Sequence, residues 1–252
     1  MENFMASLKL VTNGDLLQYF AKGVVFTLLI ALCAIILGLI IGTLLAFARN
    51  YCNTGILRIL KYFAIAYIEV FRNTPLMLWM FICLVSCPTP NFSGAMAKAI
   101  GLSSAADLKL LFQAMVALVL FTSSVMAEIV RGGLNSVSHG QFEAGYAQGF
   151  KFGTILRIII LPQAFHNIIP TLLSQVITTI KDSSYVANIA YIELLGRIFR
   201  MIRLAPMYTG MTSQNVSDVF VLCGLACVIY FVINFTISCI VRGMQKKRVS
   251  VQ

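Results

Sequence analysis

Charge is what this sequence has least of. Of its 252 residues 11% are charged and 59% are apolar, whereas a soluble domain carries roughly 25% charged residues, so a cytosolic or secreted globule is excluded. No Gly-Lys pair occurs anywhere. A P-loop requires G-x-x-x-x-G-K-[ST] to cradle phosphates, so the chain cannot hydrolyse ATP alone. The only histidines, His139 and His166, have no cysteine or carboxylate set around them at ligand spacing, and both read as structural, with no metal site and no cofactor on this chain. The absence of a G-x-S-x-G elbow leaves no candidate catalytic nucleophile. Seven cysteines are an odd number, and six of them (Cys33, Cys83, Cys87, Cys223, Cys227, Cys239) lie in or beside apolar runs, where they behave as small hydrophobes rather than a disulfide framework. The start lacks the basic opening and short apolar core of a signal peptide, because Glu2 and Asp15 precede the first long apolar run.

What is abundant is uninterrupted apolar sequence. A bilayer core needs about 20 apolar residues per helix. Five runs qualify in chain order, four of them charge-free: about Val24 to Ala48, about Phe63 to Ser86, which Glu69 and Arg72 interrupt near its start, about Leu110 to Ala127, about Ile158 to Ile180 and about Val219 to Val241. The fold class expected is an all-α integral membrane protein with about five transmembrane helices. Its parts are an extracytoplasmic segment 1–23, one transmembrane domain 24–241 and a basic tail 242–252. Gly38 and Gly42 stand at the spacing that permits close helix approach.

The net charge of +10 is not gathered into a phosphate-tracking stripe, so no nucleic-acid partner is expected. The densest cluster, Lys246-Lys247-Arg248, follows the last apolar run and reads as an anchor to membrane lipid. With the C-terminus cytoplasmic, the inside carries Arg49, Arg58, Lys61, Arg72, Arg131, Lys151, Arg157, Arg242, Lys246, Lys247 and Arg248, eleven of the nineteen basic residues. Five spans then place the N-terminus outside and the loop 131–162 in the cytoplasm. After the fourth run, Arg197, Arg200 and Arg203 recur every third residue on one helix face, consistent with a short helix at the outer membrane surface.

The loop between the third and fourth runs is the most informative segment. Gly149 can take the left-handed conformation that ends a helix. Small residues Ala144, Gly145 and Ala147 let one side of a short helix sit closely on another surface, and Pro162 suits a first helical turn. Helix, glycine turn, helix is the expectation.

The spacing Glu143-Ala144-Gly145, three residues, Gly149, nine residues, Ile159, one residue, Leu161-Pro162 resembles the EAA coupling motif of membrane subunits of bacterial ABC importers. Three passages are similar to the polar amino acid branch of that family, which serves histidine, glutamine, glutamate and arginine types. They are Glu69-Val70-Phe71-Arg72-Asn73-Thr74-Pro75-Leu76, Glu128-Ile129-Val130-Arg131-Gly132-Gly133-Leu134 and Lys181-Asp182-Ser183-Ser184. Two departures are Gly145 for the second alanine of EAA and Tyr185 where the branch has leucine. The resemblance implies a type I importer permease fold and alternating access. Glu143, Ala144, Gly145, Gly149, Leu161 and Pro162 would then couple to the ATPase. The partners it implies are a cytoplasmic ATPase dimer that binds ATP and Mg, a second permease subunit, identical or homologous, and an extracytoplasmic solute-binding protein.

The fourth run also carries a polar stripe, Gln163, Asn167, Thr171, Ser174 and Thr178, on one helical face. Such a stripe serves either as interhelical packing or as a wall of the solute pathway, continued by Lys181 and Asp182 at the far end. A zwitterionic amino acid needs a cation or a helix N-terminus for its carboxylate and an anion or carbonyls for its ammonium, and Glu69, Glu128 and Asp182 with Arg72, Arg131 and Lys181 are the available charged groups. The competing expectation pairs Glu69 with Arg72 and Glu128 with Arg131 at i,i+3. Two rivals to the importer reading remain: a self-contained ion-coupled carrier, which calls for inverted repeats that the sequence lacks, and a membrane scaffold without transport. Within the importer reading, a small solute other than an amino acid is the alternative.

Overall fold

A computed structural model describes residues 2–211 and 213–249, and every regular element in them is helical. In chain order the elements are α1 (Glu2–Thr12), α2 (Gly14–Tyr51), α3 (Leu57–Arg72), α4 (Leu76–Ser86), α5 (Gly94–Ala99), α6 (Ala105–Asn135), α7 (Gly140–Ala147), α8 (Phe152–Ile155), α9 (Leu161–Asp182), α10 (Leu194–Thr209) and α11 (Val216–Val249). A π turn, Leu156–Ile160, joins α8 to α9, and a 3-10 turn, Ser183–Asn188, follows α9. The side chains of Lys246, Lys247 and Arg248 fall outside the described residues.

Among the described residues, four helical stretches are long and apolar enough to cross a membrane: Gly14–Tyr51, Ala105–Asn135, Phe152–Asn188 and Val216–Gly243. The second expected span is not a single helix. It is broken into α3 and α4 with a bend of 110°, and the count reaches five only if this pair is one span. The cause is local. Pro75 disfavours the helical conformation at Thr74, while Asn73 ends α3 by turning both its N–H and its side-chain amide onto the carbonyl of Glu69.

The chain forms two compact units. In the unit of residues 1–33, 76–118 and 177–240 the core is Leu10, Leu16, Phe20, Leu194, Ile198, Met201 and Leu222, where α1, α10 and the starts of α2 and α11 meet. A polar node crosses this core. Glu193, fully buried, caps α10 by accepting from the N–H groups of Leu195 and Gly196, and also accepts from Thr27 Oγ1 and Tyr230 OH. Burial pushes its carboxyl above the usual range, opposed by those four donors. Arg197 is buried as well. It lies over the rings of Tyr19, at 4.5 Å, and Phe26, at 5.8 Å, and donates to the carbonyls of Ile192 and Tyr19. Arg200 and Arg203 are exposed, so the three arginines do not form one solvated face.

The unit of residues 34–75, 119–176 and 241–252 has the core Ala46, Val130, Leu134, Ile155, Ile160, Ala164 and Ile168. Apolar side chains gain little by leaving lipid for protein, so close backbone approach and polar contacts must hold such a unit. The close approach is visible in the glycines. A Cβ at Gly42 would stand 2.7 Å from the Ser123 carbonyl oxygen and 2.8 Å from the Ala127 nitrogen, and one at Gly38 2.9 Å from Thr122 Cγ2. The spacing of these two glycines therefore serves the packing of α2 on α6.

The adjacent pair Gly132-Gly133 divides two jobs. A Cβ at Gly133 would collide with Ile168 Cγ2 and lie 2.9 Å from the Ala164 carbonyl oxygen, whereas one at Gly132 meets nothing within 4 Å. Gly133→Ala is expected to lower stability by about 1–3 kcal/mol through overpacking against a β-branched side chain and backbone. Gly132→Ala should raise it by up to about 1 kcal/mol through helix propensity. Thermal unfolding of the two variants in detergent gives the comparison, and equal shifts would refute the assignment.

Candidate functional site

The loop of residues 136–160 folds as expected from its glycine. α7 ends in a paired hydrogen-bond closure in which Gly149 N–H reaches the Tyr146 carbonyl at 2.9 Å and Phe150 N–H reaches the Gly145 carbonyl at 3.1 Å. This closure needs the left-handed backbone found at Gly149, φ +80°. Gly145 is buried because Ile155 of α8 packs where its side chain would be, with Ile155 Cγ1 2.7 Å from the position of a Cβ. The departure from the second alanine of EAA thus permits a tighter α7–α8 contact. Phe142 stacks on Phe152 at 6.2 Å, and Phe152 meets Tyr51 of α2 edge-on at 5.3 Å, so the loop is seated on the end of α2.

With its inner side so fixed, α7 presents the rest outward. The Glu143 side chain is 74% exposed and pairs at 3.1 Å with His139, and Ala144 is exposed beside it. Pro162 is the second residue of α9, yet α9 has no free beginning, because α8 and the π turn run into it and Leu161 N–H bonds the Leu156 carbonyl. The wide turn accommodates a proline that has no N–H to give.

In the same unit the ion pairs differ from the expected i,i+3 scheme. Glu128 and Arg131 do pair, bidentate, with Arg131 Nη2 donating to Oε2 at 2.8 Å and Nε to Oε1 at 3.1 Å. Arg72, however, faces Glu128 at 3.6 Å rather than Glu69, and Glu69 lies 3.4 Å from Arg49. Arg49 also donates to Glu128 at 2.6 Å. Glu128 therefore gathers three guanidinium groups from α2, α3 and α6. The reason is that Glu128 is only 16% exposed and a carboxylate so placed requires charge partners, while Glu69, at 49%, is served by water.

Beside this cluster lies a cavity of about 460 Å³, lined by Arg72, Glu128, Gly132, Ser136, Asn167 and Thr171 with an apolar wall of Ile129 and Ile168. The stripe on α9 thus contributes two residues to it. Asn167 donates to Ser136 Oγ at 2.9 Å, and Gln163 donates to Gln141 of α7 at 3.2 Å. Gln163, Asn167, Thr171 and Ser174 are all exposed. In the other unit, Thr178 and Lys181 are exposed and Asp182 is half-buried at the end of α9. The Glu193 and Arg197 node escaped the sequence reading, because a glutamate before a helix and an arginine within one carry no mark of burial.

Residues 34–251 match the family described as binding-protein-dependent transport system inner membrane component. Among curated relatives, the glutamate/aspartate import permease protein GltK of Escherichia coli is 32% identical over 234 residues, covering 92% of this chain and 94% of the relative. The arginine transport system permease protein ArtQ of Bacillus subtilis is 28% identical over 231 residues, covering 92% and 93%. A crystal structure of an amino acid ABC transporter with histidines shares the fold, with TM-score 0.69 and 24% identity over 92% of this chain and 97% of that one.

Proposed function

Since the chain belongs to the family of binding-protein-dependent transport system inner membrane components, a multi-pass membrane subunit of an ABC importer, we propose that its solute is a polar amino acid. Relatives named for glutamate/aspartate and for arginine support that class. The observation that carries the coupling role is the geometry of α7: an outward glutamate on a short helix whose inner side is fixed on α8 and α2. Glu143 and Ala144 meet the ATPase, Gly145 and Gly149 hold the shape of that surface, and Leu161-Pro162 passes its movement into α9. Two ATPase subunits carry ATP and Mg. A second permease copy or relative completes the bundle, lipid surrounds it, and a solute-binding protein delivers from outside. The N-terminus is extracytoplasmic and the loop cytoplasmic. Asn167, Thr171, Ser174, Thr178, Lys181 and Asp182 line the solute's route, in keeping with the exposed α9 face.

The test is reconstitution of the complex with its binding protein in vesicles. A polar amino acid should stimulate ATP turnover and accumulate, whereas sugars and peptides should do neither. In a background without native cysteines, thiols introduced by Asn167→Cys, Thr171→Cys and Ser174→Cys should react with a membrane-impermeant reagent at rates that change with ATP. Stimulation by a non-amino-acid solute alone would overturn the substrate class, and uniformly silent thiols in an active complex would assign the stripe to packing.

A further inference from the structure

We propose that the cavity between α3, α6 and α9 is a binding site for the carboxylate of the amino acid, with Arg72 as its anchor. Charge comes first. Around Glu128 the connected set holds three guanidinium groups, Arg49, Arg72 and Arg131, against two carboxylates, Glu69 and Glu128, so one positive charge is unmatched. The excess belongs to Arg72. Arg49 and Arg131 reach Glu128 at 2.6 and 2.8 Å, within hydrogen-bond length, whereas Arg72 stands off at 3.6 Å and its side chain is 42% exposed. A guanidinium held loosely by one carboxylate keeps most of its five donors for a second, and its planar fork matches a carboxylate two-to-two.

The cavity is shaped for such a guest. Its volume of about 460 Å³ falls within the range of small-molecule sites, roughly 300–1,000 Å³. Gly132 leaves the α6 side open, since a Cβ there would meet no atom within 4 Å. The α9 side of the same lining supplies the Asn167 amide and the Thr171 hydroxyl. Asn167 points its amide nitrogen at Ser136, donating one of its two hydrogens there, which leaves its carbonyl oxygen, with the Thr171 hydroxyl, to accept from an ammonium. An amino acid zwitterion thus finds a cation for one end and neutral acceptors for the other. Because α9 also carries the route proposed above, the site is a station on that route, and the inference rests on the importer reading.

The experiment uses the assembled transporter in nanodiscs, in the background without native cysteines. Gly132→Cys places a thiol on the α6 side of the cavity, and Thr171→Cys places a second on its α9 side. The probes are the amino acids that the wild-type complex accumulates, their methyl esters, and inorganic phosphate. The free amino acids should slow labelling of both thiols and the esters should not. Arg72→Gln in either background should weaken the protection by about tenfold or more, the loss expected for hydrogen bonds to a charged group. The site is refuted if an accumulated amino acid leaves both labelling rates unchanged, or if ester and acid protect equally. Protection by phosphate alone would also refute it, as the mark of a lipid headgroup site. A wild-type complex that accumulates no amino acid at all would instead bring down the importer reading, a separate and recognisable result.

Discussion

Glu128→Gln is expected to destabilise the subunit by about 2 kcal/mol, less than for one partner of a fully buried charge pair because the cluster is part-buried. The neutral amide keeps the shape of the side chain but leaves three guanidinium groups from α2, α3 and α6 facing one another with a single exposed carboxylate, Glu69, among them. Arg131 loses its bidentate partner, and Arg49 loses its 2.6 Å bond. The contrast is Arg72→Gln, which removes only a 3.6 Å contact made by a side chain that is itself 42% exposed and should stay within about 1 kcal/mol of the parent. Thermal unfolding in detergent, with protease resistance as a second measure, reads both. Equal and small shifts would mean that water screens the cluster and that it contributes little to folding.

Gly149→Val should weaken coupling by about tenfold while leaving the subunit in the membrane. No atom stands within 4 Å of a Cβ at this position, so the effect does not arise from a clash. It arises from φ +80°, where a β-branched residue pays about 1–2 kcal/mol and escapes by opening the turn. Opening it breaks the Gly149 and Phe150 N–H bonds that end α7 and tilts the exposed face carrying Glu143. Solute-stimulated ATP turnover and uptake should fall by about tenfold, the equivalent of that strain. The amount of subunit in the membrane should be unchanged, because the spanning helices are untouched. Gly149→Asn, which tolerates this backbone region better, should fall between valine and the parent. Normal uptake by the valine variant would reduce the loop to a connector.

The parts of the molecule that the sequence foretold are those governed by local chemistry. Apolar runs announce spanning helices because lipid allows few alternatives, and Gly149 announces a turn because glycine reaches positive φ freely. The GxxxG pair follows from spacing on one helix. What stayed hidden depends on groups distant in the chain. Nothing near Glu69 or Arg72 tells that Arg49 and Glu128 will outcompete the i,i+3 pairing, and no spacing rule brings Thr27 and Tyr230 to Glu193. The break at Asn73–Pro75 lies inside a run whose average apolarity conceals it, although Pro75 itself was in plain view.

The π turn at Leu156–Ile160 has a bearing on how the loop and α9 work as one piece. An α-helix advances about 100° per residue, and a π turn accommodates one residue more than the α-helical repeat. The direction in which Asn167 and Thr171 point is thereby indexed to the direction in which α7 is held. Loss or gain of one residue between Gly149 and Leu161 would swing the cavity wall by about a quarter of a revolution or more while leaving both helices intact. The fixed interval of the loop motif therefore acts as a rotational gear between the outward glutamate and the polar face, with tooth count rather than residue identity as the constrained quantity.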